Sequence, residues 1–368
     1  MDKKEKDLSL RLQELRFNID KIDSQILDLI NNRLLLGKEI GEIKQKSKTD
    51  VLDSSREKQV IEKILDNNKG PAEEQLLKYI FNVIMTATKD IQKRQIVSYL
   101  SPEAGYPHIA ALSFFKHSGS FVKQSNIYEV FRNTHRNESH FGVVPVENSI
   151  QGSVNNTLDL FTEFENLKIC GEYYEPISYD LISLTGEKHD IEKIYASSIA
   201  IEQCKTWKNK TFPKIDFIKM ETTAKAAEEA LKNQNCAIIA SSQAANIYSL
   251  QVVESAIEDF PGDITRFLII GKDTPEKTEN DKTSLMFSTS HLPGSLLKAL
   301  EPVNKAELNM LKLESRPTKH ENWSYYFFMD IHGHIKDQII EQTIEKMRKN
   351  TLSLKHLGSY PAFDKRNY

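Results

Sequence analysis

The chain has 368 residues, with 49 Lys and Arg against 52 Asp and Glu and a formal net charge of -3. That balance excludes a global attraction to nucleic acid or an anionic membrane, and the length exceeds what one compact core supports, so two or three domains with small-molecule partners are expected. Cys170, Cys204 and Cys236 lack zinc-ligand spacing, the start MDKKEKDLSL has no apolar signal region, and no apolar run approaches the ~20 residues that span a bilayer, so a cytoplasmic protein with reduced core thiols is expected.

From Leu8 to about Lys46 there is no proline, and the isolated Gly37 and Gly41 are tolerable in a helix. One long helix follows, nearly 60 Å at a rise of ~1.5 Å per residue, more than one small domain covers, so other helices are needed, from a second protomer. Leu15, Ile19, Ile22, Ile26, Leu29, Leu36, Ile40 and Ile43 step by four and three as a heptad seam does, and the missing member of the series is Arg33. SSREKQVIEKIL and EQLLKYIFNVIMTATKDIQ form two shorter amphipathic helices separated by the Gly-Pro stop in NNKGPAE, making residues 1–95 all-helical.

From QIVSYL onward, β-rich runs (FGVVPVEN, YDLISL, KIYAS, DFIKM, CAIIAS, RFLII) alternate with helical stretches, which indicates an α/β domain with a largely parallel sheet over residues 96–272. The polar stretch GKDTPEKTENDKT supplies a linker, at 273–282. Residues 283–368 then read strand, helix, strand, strand, helix, strand, the order of a ferredoxin-like βαββαβ unit.

Arg33 and Lys44 are eleven residues apart, close to three helical turns, so both project from one face. An unpaired guanidinium on an apolar seam costs several kcal/mol, and an anion should offset that. An interhelical salt bridge, or side chains snorkelling to solvent, would do so without a ligand. In the later helix Leu77, Phe81, Ile84, Thr88 and Ile91 form a second seam, and Thr88 with the adjacent Gln92 puts polar groups where apolar ones are expected. Between them, Ser54 and Glu57 of DSSRE have capping-box spacing. Without His, Cys or paired carboxylates this bundle lacks a usual metal site, but it can grip a dicarboxylate.

Through RLQELR, NNRLLLGKEIGEIK, DSSRE and TATKDIQ, residues 11–95 resemble the all-helical class of chorismate mutase. The resemblance puts Arg16, Arg33, Lys44, Asp53, Arg56, Glu57, Thr88 and Gln92 on that family's active-site pattern. It implies an intertwined dimer in which Arg16 reaches the partner's pocket. The implied reaction, chorismate to prephenate, is a pericyclic rearrangement with no proton transfer. Catalysis then comes from holding the folded conformer and stabilising charge on the breaking ether bond. Arginines suit the two carboxylates because their planar forks bind bidentately, while Lys44 and Gln92 would meet the ether oxygen and Glu57 the ring hydroxyl.

VPVENS places Glu147, Asn148 and Ser149 at the carboxyl end of a buried strand, where ligand crevices form in open α/β sheets, although a strand running into a helix cap reads the same way. DITRFLII starts a strand with Thr265, Arg266 and Phe267, and Gln203 stands beside Cys204. Together, "VENSIQGSVNNTLD", "EQCKTW", "TTAKAAEEA", "AIIASSQAANIYSL" and "DITRF" resemble prephenate dehydratase, which implies two α/β lobes with the site in their cleft. The implied chemistry is loss of CO₂ and the ring hydroxyl from prephenate to give phenylpyruvate. Aromatisation drives it, so a weak acid suffices. By resemblance Thr265 is that hydroxyl donor, Arg266 orients a carboxylate, and Asn148 and Gln203 hold the substrate. The chain departs from the family pattern at Ser101 to Gly105, with Ala104 in place of a glycine, at Ala196 to Ile199, including Ser197, and at Asp263, usually Asn.

In the last segment, Pro293 and Gly294 open a helix and LESRP ends a strand; a cap and a surface ion pair would account for both. With "PGSLLKAL", "LESRPTK", "WSYYFFMDIHGH" and "LGSYP" the segment resembles the ACT regulatory domain fused to prephenate dehydratases. That implies a phenylalanine site drawing on Gly294, Ser295, Leu296, Leu297, Glu314, Ser315, Arg316 and Pro317, and feedback through two conformational states. His332 and His334 read as a turn, so no metal and no cofactor is expected. The order of the three segments is that of the bifunctional chorismate mutase/prephenate dehydratases, with chorismate, prephenate and phenylalanine as partners and a homodimer or dimer of dimers as assembly. A mutase whose dehydratase domain only binds ligand, or a phenylalanine-responsive binding protein without catalysis, are the alternatives.

Overall fold

The computed structural model describes residues 3–47, 54–92, 94–116, 118–318 and 325–363, with side chains at 11–43, 59–88, 91, 94–116, 118–318 and 325–363. Residues 1–95 and 96–368 form two compact units.

The first unit is helical: α1 (Lys3–Ser47), α2 (Ser54–Asn67) and α3 (Glu74–Gln92), with α1 and α2 both packed on α3. The face of α1 that meets α3 carries Ile30, Arg33, Leu34, Gly37 and Gly41, with both glycines buried. Spaced one turn apart, they have no side chain to hold the neighbouring backbone away. The heptad row is not covered within the chain: Leu15, Ile19, Ile22, Ile26, Leu29, Leu36, Ile40 and Ile43 are all exposed, Leu29 at 68% and Leu36 at 60%.

The second unit holds three sheets. The first lobe has the strand order Ser120–Gln124, Ile96–Leu100, Phe141–Asn148, Asp263–Gly271, Lys168–Ile177, and the second lobe Gln251–Glu254, Asp180–Ser183, Cys236–Ala240, Lys193–Ala196, Phe217–Lys219. Both sheets are mixed rather than largely parallel. Ile96–Leu100 pairs in parallel with both its neighbours, but Asp263–Gly271 runs antiparallel to both of its own. The cause is the chain path: it leaves the first lobe at Ile177, builds the second, and returns at Asp263 in the opposite direction.

The third sheet, Met310–Pro317, Tyr325–His332, Asp281–Ser288, Ser353–Pro361, is antiparallel throughout, with helices Ser295–Lys305 and Gln338–Arg348 inserted in βαββαβ order. One face packs on its helices through Leu285, Phe287, Met329, Ile331, Ile344 and Met347. The other puts Met286, Phe328, Leu357 and Tyr360 into one core with Phe131, Val144, Phe161, Ile169 and Leu268 of the first lobe. Gly358 permits the close approach, since a Cβ there would lie 2.1 Å from the Ile169 carbonyl oxygen. This shared core is why the C-terminal segment clusters with the two lobes.

All three cysteines are buried and unpaired. Among the described residues no helix is long and apolar enough to cross a membrane, and no group of three or more His, Cys, Asp and Glu could hold a metal ion. His332 Nε2 instead pairs with Asn280 Oδ1 at 2.8 Å, and His334 Nδ1 accepts from the Lys336 amide at 3.0 Å.

Candidate functional site

In the helical unit Arg33 reaches from α1 to α3, donating to Thr88 Oγ1 at 2.5 Å and to the Ile84 carbonyl at 3.4 Å. Thr88 passes its own proton to the Ile84 carbonyl at 2.8 Å, the usual bond of a helical threonine to the preceding turn. Two neutral acceptors therefore hold the guanidinium, and no carboxylate among the described residues pairs with it. Arg16 is exposed on α1 within a single chain. The side chains of Lys44, Arg56, Glu57 and Gln92, and Asp53 altogether, lie outside the described residues.

In the second unit four candidates meet at the mouth of the first lobe. Antiparallel pairing sets Thr265 opposite Asn148, so the two side chains share a face. Asn148 Nδ2 donates to Thr265 Oγ1 at 3.0 Å and to Asp263 Oδ1 at 2.8 Å. Asn148 Oδ1 accepts from the backbone amides of Ile150 and Gln151 at 3.0 and 2.8 Å. Ser149 Oγ accepts from the Ile264 amide at 2.9 Å and donates to Asp263 Oδ1 at 3.0 Å. From the second lobe, Gln203 Nε2 donates to Asp263 Oδ2 at 3.3 Å. Asp263, expected only as a departure from a family pattern, is thus the hub of the cluster, 2% exposed. Ser197, another departure, caps the short helix Ser198–Gln203 that carries Gln203, accepting from the Ala200 amide at 3.3 Å.

Glu147, Arg266 and Phe267 do not join this cluster. Phe267 is 1% exposed, in the core with Val97, Tyr99 and Ile269. Arg266, next to Thr265, points to the opposite face of its strand, as the period of two requires. There Nε donates to Glu172 Oε2 at 2.9 Å and Nη2 to Asp330 Oδ2 at 2.7 Å and to the Tyr360 hydroxyl at 3.1 Å. Lys282 Nζ completes the network, 2.8 Å from both Glu172 oxygens. The guanidinium is spent on the protein's own acids, and the expectation that Arg266 orients a substrate carboxylate finds no free fork here. Glu147 lies on that same face, accepting from Lys312 Nζ at 2.9 Å. Burial opposes ionisation of Asp330, but Arg266, Ser284 and Lys282 outweigh it and hold its carboxyl below the usual range. A cavity of about 790 Å³ adjoins this network, lined among others by Glu147, Glu172, Arg266, Lys282, Lys312 and Asp330.

The C-terminal candidates fall into two groups. Gly294, in the left-handed region at φ 80°, starts helix Ser295–Lys305, and Ser295 and Leu296 line a cavity of about 400 Å³ with Ser290, His291, Tyr325 and Phe327. Leu297 is 74% exposed. Glu314 and Arg316 line no part of that cavity. On alternate positions of the edge strand Met310–Pro317 they turn to the first lobe, where Ser153 Oγ donates to Glu314 and Arg316 Nε bonds Asp159 at 3.3 Å. Ser315, between them, and Pro317, after Arg316, are exposed.

Residues 15–93 match the family model described as chorismate mutase type II, and residues 97–275 the model described as prephenate dehydratase. A bifunctional chorismate mutase/prephenate dehydratase of Aquifex aeolicus is 41% identical over 95% of this chain and 98% of its own length. One of Stutzerimonas stutzeri is 36% identical over the same shares. The crystal structure of a prephenate dehydratase from Arthrobacter aurescens, in complex with L-Phe, superposes with a TM-score of 0.64 at 26% identity, covering 73% of this chain and 90% of that one.

Proposed function

Since this chain belongs to the bifunctional chorismate mutase/prephenate dehydratase family and carries both activities, we propose how its own residues divide the work. In the first unit Arg33 and Arg56 hold the carboxylates of chorismate with Arg16 of a second copy, Lys44 and Gln92 meet the ether oxygen, Glu57 the ring hydroxyl, and Asp53 and Thr88 complete the pocket. The observation that carries this is Arg33: its guanidinium is positioned by the neutral Thr88 hydroxyl and Ile84 carbonyl, and no carboxylate among the described residues answers its charge, which suits an anion. The exposed heptad row supports the intertwined dimer, because eight large apolar side chains on one stripe of α1 need a cover.

In the dehydratase cleft Thr265 is the proton donor. As the C–COO⁻ bond breaks, its electron pair moves into the ring and expels the ring hydroxyl, which takes the Thr265 proton and leaves as water; solvent then reprotonates Thr265. Gln203 binds substrate beside it and Ser149 shapes the approach, while Asn148, its amide fully bonded within the protein, holds Thr265, and Glu147 stands on the opposite face with Lys312. Arg266 and Phe267 serve this site from behind, as tie and core. The bonded cluster of Asn148, Thr265 and Gln203 favours a working dehydratase over a lobe that only binds ligand.

The βαββαβ segment is an ACT regulatory domain with phenylalanine as effector, bound beside Gly294 to Leu297. Glu314 to Pro317 contribute to that site or transmit from it. Buried, unpaired thiols fit a cytoplasmic location. Purified protein given chorismate tests the scheme: chorismate loss and phenylpyruvate formation are followed with and without phenylalanine. Both should proceed, with phenylpyruvate formation suppressed by phenylalanine; prephenate accumulating without phenylpyruvate would overturn the dehydratase assignment.

A further inference from the structure

A threonine hydroxyl is both donor and acceptor, and its rotor is free unless something fixes it. At Thr265 the direction of the proton decides whether it meets the leaving group. Backbone amides can only donate, so the two that reach Asn148 Oδ1, from Ile150 and Gln151, fix which end of that amide is oxygen. Both Asn148 Nδ2 protons are then committed, one to Asp263 Oδ1 and one to Thr265 Oγ1. Thr265 Oγ1 is made an acceptor on the protein side, and among the described residues its own proton goes to no protein acceptor. It is left for the cleft.

Asp263 closes this chain of directions. A carboxylate accepts only, and this one, 2% exposed, takes Asn148 Nδ2 and Ser149 Oγ on one oxygen and Gln203 Nε2 on the other. Three donors from two lobes answer its charge. It therefore presents no bare anion to an anionic substrate, and it sets Asn148 and Gln203 at once.

We propose that Asp263 is a positioning residue of the dehydratase reaction: it clamps the Asn148 amide, which in turn aims the Thr265 proton at the departing hydroxyl, and it anchors Gln203 across the lobes. This rests on Thr265 as proton donor. Asparagine at 263 keeps the geometry, because its Oδ1 still accepts from Asn148 and Ser149 while its amide group turns the Gln203 amide over. Glutamate keeps the charge but is one methylene too long, and displaces Asn148.

The test uses the full chain carrying Asp263→Ala, Asp263→Asn, Asp263→Glu or Thr265→Val, with kcat and KM for prephenate conversion, thermal melting of the second unit as folding control, and the chain's own mutase activity as a check on the amount of protein. Asp263→Ala and Asp263→Glu should lower dehydratase kcat by roughly 30-fold or more with KM shifted less than about threefold, mutase unchanged, and Asp263→Asn should stay within about fivefold of the parent. Undiminished kcat in Asp263→Glu, a loss confined to KM, or Asp263→Asn as inactive as Asp263→Ala overturns the proposal. If Asp263→Ala does not fold, Asp263→Asn against Asp263→Glu still decides. Full kcat in Thr265→Val sinks the proton-donor reading itself, whereas loss there with Asp263→Glu intact sinks the positioning role alone.

Discussion

Thr265 and Arg266 are consecutive in one strand and belong to different environments: the hydroxyl of the first joins the Asn148 and Asp263 cluster, and the guanidinium of the second is clasped by Glu172 and Asp330 beneath the C-terminal sheet. Arg266 thus ties the C-terminal sheet to the strand that carries Thr265, the proposed proton donor. The network is buried, and a buried charge that loses its partner is costly.

Replacing Asp330 by Ala leaves Arg266 with Glu172 and Tyr360 but removes the short bond at Nη2. We expect a loss of about 3 kcal/mol in the stability of the second unit, measured by denaturant unfolding, and weaker phenylalanine control of the dehydratase. Unchanged stability would show that the ion network is not what joins the sheet to the lobe.

Glu175 lies opposite Thr265 on the neighbouring strand, and burial pushes its carboxyl from the ordinary 4.5 up to about 7, against a lowering hydrogen bond from Tyr173. Below 4.5 folded and unfolded chains both hold the proton, and nothing is lost. Between 4.5 and about 7 the unfolded chain releases it while the folded one keeps it, so stability falls as pH rises and levels off above. Glu175→Gln has no proton to lose. It should match the parent in acid and exceed it by up to ~3 kcal/mol above neutrality, read from unfolding curves across the pH range. A constant difference at every pH would refute the burial argument.

Ala104 has φ 59°, in the left-handed region where a Cβ is crowded and glycine is not. Ala104→Gly should therefore stabilise the second unit by about 1 kcal/mol, less the extra freedom that glycine gains in the unfolded chain. Thermal melting checks it, and a lower melting temperature would mean that the loop relies on the Ala104 side chain, which is 2% exposed.

Arg33→Ala should abolish most mutase activity, by about 100-fold or more in kcat/KM, while dehydratase activity on supplied prephenate stays within about twofold. In the parent, mutase turnover should hold steady from acid to neutral pH, because Gln92 has no proton to lose. A steep fall over that range, not shared by the dehydratase, would reject Gln92 as the ether-oxygen donor.

The sequence by itself determined the long helix, because proline is absent from Leu8 to Lys46, and the change to α/β structure at QIVSYL, because hydrophobic period is a local property. It also singled out Asn148, Thr265 and Gln203, which the fold brings into one cluster around Asp263. It did not record which face of α1 meets α3: that face carries Gly37 and Gly41, read only as tolerable, while the heptad row stays exposed within the chain. Asp263 as hub and the network of Arg266 with Glu172, Lys282 and Asp330 were decided by tertiary structure alone. Those partners are far apart in sequence, Arg266 standing 94 residues from Glu172 and 64 from Asp330. No periodicity records which face of a strand meets another sheet; that is fixed only when two lobes and a third sheet bury their apolar faces together.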